Sequence, residues 1–500
     1  MKRRKFLQSA MLATGGFFSS PLFGKGNRDA DKFLELEKKG GSRPPNVVFF
    51  ILDELGYFEL SCMGNKKLKT PNIDQLAKEG MRFTQAMAGS PVCAPTRSTL
   101  MTGQHTGHTT VRKNAGDLAL RREDITIAQV LKHAGYKTGG FGKWGIGDRG
   151  TTGVPELHGF DMFFGYYHQV HAHSYFPNYL VRNGQKVTLE GNTGDFYSGK
   201  QYAHHLIVQE TKKFIRENKD VPFFCYCPWT PPHGLWGIPE NEPSWKLYKD
   251  KSWTAGQQTP NDAKVYAAMV SMIDRQIGEI IALLKKEKIE DNTIIFICGD
   301  NGGQPYFLNG DPSKPKPESP PFPQGFFGPN LNPITGKVFR GGKRELYEGG
   351  LRIPMMVWGP GKIKSGHVSD FLWYFPDVMP TLAELAGIKS PVNIDGISIV
   401  PTLFGAERAG KTQKKHKYLY WEFENQAAVR IDNYKGVKPA TNAPFELYDL
   451  NKDIEEKINI ADEHPQIIEE MTAIARQAHT ENVMGQWIDK SKGFKGHKEK

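Results

Sequence analysis

Residues 46–52 read Asn-Val-Val-Phe-Phe-Ile-Leu, a strand-length run that is apolar after its first residue and stops at two carboxylates, Asp53 and Glu54. A run without polar alternation must be buried on both faces, which is the pattern of a strand inside a parallel sheet. A second such run, 293–298, also ends in ligand-type side chains, Asp300 and Asn301, and 354–358 reads as a further strand. Helical patterns lie between them. Thr70-Pro71 opens a helix closed by Gly80, with Pro at the first turn and Gly beyond the end. Residues 127–134 form a short helix ended by Gly135 and followed by a strand at 136–141. Residues 262–286 carry apolar side chains at the helical period, from Val265 through Met272 and Ile273 to Leu284. Strands alternating with helices predict an α/β fold: a large, mostly parallel sheet sandwiched by helices. Functional groups of such folds collect at the carboxyl ends of the strands, where both carboxylate pairs lie.

The pattern changes near residue 403. Short strands at 417–423, 427–431 and 445–448 and a last helix at 465–479 predict a small C-terminal α+β domain, so the chain divides into a catalytic body at 44–403, a subdomain at 404–485 and a basic tail at 486–500. Gly302 to Gly342 is rich in Pro, Gly and Asn and reads as a long surface loop. Residues 1–24 read as an export signal: Lys2-Arg-Arg-Lys-Phe-Leu7 precedes a modest apolar stretch and small residues, like a bacterial twin-arginine signal with Lys2 in place of the usual Ser or Thr. A charged linker, 25–43, follows. The expected location is the periplasm or the extracellular space.

Apolar residues are 38% and charged residues 24% of the 500, so the chain can bury a sizeable core, and no run approaches the ~20 apolar residues of a membrane span. The net charge of +11 favours anionic partners, but part of it sits in the two termini, and no nucleic-acid partner is expected. Five cysteines make no disulfide framework and contain no Cys-x-x-Cys pair; Cys225 and Cys227 share one face of a strand and are expected in the core.

Cys93 stands apart. Cys93-Ala-Pro-Thr-Arg97, continued by Ser98-Thr-Leu-Met-Thr-Gly103, resembles the signature of type I sulfatases, in which this cysteine is oxidised to formylglycine (3-oxoalanine). Four further segments match in the same order: 46–60, Gly142-Lys-Trp144, Cys298-Gly-Asp-Asn-Gly302, and Gly342-Lys-Arg-Glu-Leu-Tyr-Glu-Gly-Gly-Leu-Arg-Ile-Pro354. The resemblance runs from about residue 45 to about 480 and implies the alkaline-phosphatase-like sulfatase fold. It also implies a formylglycine-generating enzyme as a maturation partner. A hydrated aldehyde at position 93 offers two hydroxyls on one carbon. One attacks sulfur and the other later expels sulfate, whereas a plain serine would stop at a stable sulfate ester.

Asp53, Glu54, Asp300 and Asn301 offer only hard oxygens, which suits Ca²⁺ rather than zinc, and the resemblance also points to calcium, with residue 93 completing the set. Glu54 departs from the family, which usually has Asp there. The resemblance further implies that Arg97, Lys143 and Lys343 clamp the sulfate and that His233, in Pro231-Pro-His-Gly, is the general acid. The family often has a histidine two residues after the lysine of the Gly-Lys-Trp element. Here that position is Gly145, and His105, His108, His171 and His173 are the candidates to replace it.

Trp229, Trp236, Trp245 and Trp253 surround His233 in sequence, and 168–176 mixes histidines with aromatics; sugar rings pack on such surfaces. A sulfated glycan or oligosaccharide is the expected substrate, with galactose or N-acetylgalactosamine sulfates first, the 4-position ahead of the 6-position, and His171, His173 and Glu422 as sugar contacts. Two other readings stay open: a phosphate-ester hydrolase of the same broader fold, which would call for a Thr or Ser nucleophile and two metals, and a catalytically dead glycan-binding relative.

Overall fold

The computed structural model describes residues 43–307 and 324–496. The residues expected as an export signal, nearly all of those expected as a linker, and part of the 302–342 stretch lie outside them. A ten-stranded sheet forms the body, in the spatial order β11 (His367–Ser369), β2 (Met81–Phe83), β10 (Met355–Trp358), β9 (Thr293–Gly299), β1 (Asn46–Leu52), β8 (Phe223–Trp229), β4 (Lys137–Lys143), β5 (Met162–Tyr166), β6 (Tyr179–Arg182) and β7 (Gln185–Thr188). The five central strands, β9 to β5, are parallel. Antiparallel pairing appears only outside them, where β10 lies against β9 and β2, and where β5, β6 and β7 form successive hairpin-like pairs. β12 (Trp373–Tyr374) and β3 (Ala86–Met87) make a separate parallel pair.

All seven residues of β1 are buried, as its unbroken apolar run requires. Val48, Phe50 and Leu52 face a core shared with Cys225, Cys227 and the helix Asp262–Lys286. Val47, Phe49 and Ile51 face the opposite core with Phe224, Tyr226, Ile294 and Phe296. The long helix has the bounds its periodicity indicates. The helix Pro71–Glu79 also begins after Thr70, but the Thr70 hydroxyl donates to the Asp74 carboxylate rather than capping a backbone N–H.

The C-terminal subdomain is a four-stranded antiparallel sheet of β13 (Leu419–Phe423), β14 (Gln426–Ile431), β15 (Tyr434–Lys438) and β16 (Glu446–Asp449), with the helix Pro465–Ala478 on one face. Its other face packs on the body: Trp421 and Val437 join Val92, Leu346 and Leu351, and the Trp421 indole donates to the Ala88 carbonyl at 2.9 Å. This places the sheet behind the segments that carry Cys93 and Lys343. A fully buried Lys435 reinforces the junction, reaching Glu348 and Glu456 at 3.0 Å each. Residues 486–496, within the segment expected as a basic tail, lie along the body. Trp487 bridges to Thr151, and the Phe494 ring packs on His168 and His171.

Candidate active site

Four neighbouring parallel strands end at one place, and each delivers a functional residue there. β1 and β9 are paired to their last residues, Leu52 with Gly299, so Asp53-Glu54 and Asp300-Asn301 emerge side by side. β4 ends in Lys143 itself. β8 ends at Trp229, opposite Leu52, and the chain then turns to His233. Cys93 opens the buried helix Cys93–Thr102, which puts Arg97 one turn further along the same face. Lys343 comes in on the loop ahead of β10.

The groups are close and dry. The Cys93 thiol donates to Asp53 Oδ1 at 3.1 Å, and Lys143 Nζ lies 2.6 Å from Asp53 Oδ2. Arg97 Nη2 is 3.4 Å from both Asp53 and Asp300, and its Nη1 donates to the Lys143 carbonyl at 2.6 Å. The Glu54 backbone N–H, held at a φ of 63°, donates to Asp300 Oδ1 at 2.9 Å. The Glu54 carboxylate meets His233 Nε2 at 2.9 Å and also contacts Lys343 Nζ and the Tyr306 hydroxyl. Among the described residues of the cluster, His233, Lys343 and Tyr306 keep some exposure, so the opening lies on their side.

Charge explains the protonation states. Burial works against ionisation of Asp53, yet Lys143, His233 and Arg97 hold its carboxyl well below the usual range. Burial and the Asp53 charge push Asp300 up to about 7. Burial, with Asp300 and Asp53 adding to it, drives the Cys93 thiol well above its ordinary value, so the unmodified side chain is no thiolate nucleophile. His233 is raised despite burial, because Glu54 and Asp53 favour the imidazolium. Its geometry agrees: Nδ1 faces the Gly234 carbonyl and Nε2 faces Glu54, so both nitrogens meet acceptors. Burial lowers Lys343 to about 8.

The donor set suits a hard cation. Three carboxylates converge with Asn301, whose Oδ1 is buried and accepts no hydrogen bond while its Nδ2 donates to Gly302. Asp53, Glu54, Cys93 and His233 present ligand atoms within 4.8 Å of one another. Calcium would suit the oxygens of Asp53, Asp300 and Asn301, while the Glu54 carboxylate is engaged by His233 and Lys343.

Other sequence expectations are placed differently. His173 stacks on His233, 4.4 Å between ring centroids and 16° apart, and so lines the site. His171 is buried against Tyr166, Tyr179 and Phe494, one step back from it. Glu422 is not brought to the cluster: it pairs with Arg112 at 3.0 Å and His479 at 2.7 Å, on the flank occupied by His105, His108 and Asp395. Neither His105 nor His108 replaces a histidine at 145. Both pack against each other and against Asp395, and His105 Nδ1 accepts from the Gly107 N–H. The tryptophans are structural. Trp229 packs edge-on to Phe50, Trp236 on Tyr306 and Phe307, and Trp253 on Phe326 and Phe327, with Trp245 against the same core. Tyr306 and Tyr175, which donates to the His233 carbonyl at 2.6 Å, join the site without any motif to announce them.

Comparison with known proteins agrees with this geometry. The Sulfatase family profile matches residues 45–388, and one described as N-sulphoglucosamine sulphohydrolase, C-terminal, matches 339–481. The chain is 30% identical to the N-acetylgalactosamine-6-sulfatase of Rattus norvegicus, over 80% of this chain and 73% of that protein. It is 27% identical to the N-acetylgalactosamine-6-O-sulfatase of Bacteroides thetaiotaomicron, over 89% and 96%. Among solved structures it is similar to Ps i-CgsB in complex with k-i-k-neocarrahexaose (25% identity, TM-score 0.68, 87% of this chain and 93% of that one). It is equally similar to a sulfatase structure from the metabolism of multiple glycosaminoglycans by Bacteroides thetaiotaomicron (26% identity, TM-score 0.68, 87% and 98%). With a family match spanning most of its length and the strand-end cluster in place, the chain belongs to the sulfatase family.

Proposed function

We propose that the protein is an exported, formylglycine-dependent, calcium-binding sulfatase that removes sulfate from a galactose or N-acetylgalactosamine unit of a sulfated glycan. The observation that carries the reading is the juxtaposition of Cys93, a fully buried thiol 3.1 Å from Asp53, with buried Arg97 and Lys143 and the oxygen face of Asp53, Asp300 and Asn301. Oxidation of Cys93 by a formylglycine-generating enzyme would supply a hydroxyl nucleophile in place of the inert thiol. Calcium, held by Asp53, Glu54, Asp300, Asn301 and the side chain at 93, would supply positive charge beside the sulfate oxygens. The chain's own residues do the rest. Arg97 and Lys143 fix the reacting side chain and offset the charge of the ester, Lys343 closes the open side, and His233 holds the proton for the departing sugar oxygen at Nε2. Metal analysis is expected to find about one calcium per chain, lost in Asp300→Ala. Stoichiometric zinc, or an Asp300→Ala protein with full calcium, would exclude the assignment.

The sugar preference rests on the similar proteins. Relatives named N-acetylgalactosamine-6-sulfatase support the 6-position over the 4-position that the sequence alone favoured, and a neighbour solved with k-i-k-neocarrahexaose supports a glycan chain. The N-terminal Lys-Arg-Arg segment supports an encounter outside the cytoplasm; no described helix is long and apolar enough to cross a membrane. His173, stacked on His233, is the sugar contact that the geometry favours over His171 and Glu422. Assays of sulfated mono- and disaccharides against a small aryl sulfate should show release from the 6-sulfated sugars. Hydrolysis of the aryl ester with every glycan left intact would reject the substrate.

A further inference from the structure

Gln169 belongs to no motif, yet it is the least satisfied polar side chain beside the active site. It is 4% exposed, and both amide atoms, Oε1 and Nε2, are buried without a hydrogen-bond partner. Leaving a buried donor and acceptor unmade forfeits the hydrogen bonds that both made with water in the unfolded chain. An amide orphaned at both ends is therefore expected where something else completes it. Its surroundings indicate what that is. Gly145, two residues after Lys143, has a φ of +77°, and a Cβ built on it would lie 2.6 Å from Gln169 Oε1 and 3.5 Å from Arg97 Cδ. The amide thus occupies the space above Gly145 that any side chain there would need, on the flank of the arginine that reaches Asp53 and Asp300. Arg97 Nε, on the same stretch of side chain, is also without a partner.

The loop that carries Gln169 is held firmly. Its neighbours His168 and His171 both pack on Phe494, 4.8 and 4.9 Å between ring centroids, and the Phe494 N–H is anchored on Asp148 at 2.6 Å. Two residues further on, His173 stacks on His233. An unpaired amide on a pinned loop, across Gly145 from the Arg97 side chain, is a preorganised contact rather than a side chain waiting to rotate away.

We propose that Gln169 is a further substrate-binding residue of this site, its Nε2 donating to an oxygen of the sulfate beside Arg97. The proposal deepens the sulfatase reading and rests on it. A primary amide can donate and accept hydrogen bonds but carries no group that titrates near neutral pH. Gln169 would therefore add a neutral hydrogen bond to a pocket whose other contacts are cationic, and would leave proton transfer to His233.

The test uses the full mature protein. Turnover of a sulfated sugar and the affinity for inorganic sulfate by calorimetry are measured for wild type, Gln169→Ala and Gln169→Glu. Gln169→Ala should lower kcat/KM and sulfate affinity together by about tenfold, the scale of one hydrogen bond, with an unchanged melting temperature and an unshifted pH profile. The isosteric Gln169→Glu should lose more, because a carboxylate then faces the sulfate, and it carries the test if the alanine variant fails to fold. Both variants within twofold of wild type in sulfate affinity, the result expected if the amide merely holds water, would overturn the proposal. So would a loss that appears only as a lowered melting temperature. A wild type that hydrolyses no sulfate ester would instead overturn the sulfatase reading, and the calorimetric comparison would still decide the role of Gln169.

Discussion

Cys93→Ser is expected to fold like the wild type and to lose steady-state turnover by a factor on the order of 10⁴ or more. The substitution is close to isosteric at a fully buried position, and the new hydroxyl can still reach Asp53 as the thiol does. What it cannot offer is the second oxygen on the same carbon. A serine that took sulfate would keep it, so mixing the variant with a chromogenic sulfate ester should release at most one equivalent of alcohol per chain and then stop. Rapid continuous turnover by the serine variant would contradict the mechanism.

His233→Ala should cost about 10²–10⁴ in kcat on a sugar sulfate, the usual scale of general acid catalysis. A sugar alkoxide leaves poorly without a proton, while a nitrophenolate leaves well, so the loss on an aryl sulfate should be much smaller. The acidity of the site fixes the pH signature. Because Glu54 and Asp53 raise His233 against the effect of burial, the acid form survives above the ordinary imidazole range near 6.5. The alkaline limb of the wild-type pH–rate profile should therefore fall above that value and be absent from the variant. Equal losses on both ester types would show instead that His233 only positions its neighbours, among them Glu54 and His173.

The fold was legible because its central strands carry an extreme signal. A run such as 46–52, apolar on both faces, has one stable environment, and the helix at 262–286 has the matching period. The edges were less so. β15 at Tyr434–Lys438 is broken by Gly436 and carries Lys435, whose burial depends on Glu348 and Glu456 arriving from distant segments. No local pattern announces an ion pair of that kind. The strand-end cluster was readable, since Asp53, Asp300, Lys143 and Cys93 follow from strand ends and a motif, and the structure brings them together. The surroundings of His233 were not. Aromatic clustering around His233 suggested a binding platform, but Trp229 and Trp236 sit in the core, because a tryptophan near a site in sequence is as easily a buttress as a surface. The pairing of Glu422 was hidden for a related reason: a carboxylate on a short strand gives no sign of Arg112 waiting more than three hundred residues earlier. Gln169 and Tyr306 were invisible, since a lone amide or phenol acquires meaning only from what surrounds it in three dimensions.

The proposed mechanism turns on the chemical state of residue 93, and peptide mass spectrometry of purified active protein reads it directly. The peptide spanning Cys93-Ala-Pro-Thr-Arg97 should carry an aldehyde at position 93, in a fraction that rises and falls with specific activity between preparations. Full sulfatase activity in protein whose residue 93 is a thiol throughout would contradict it.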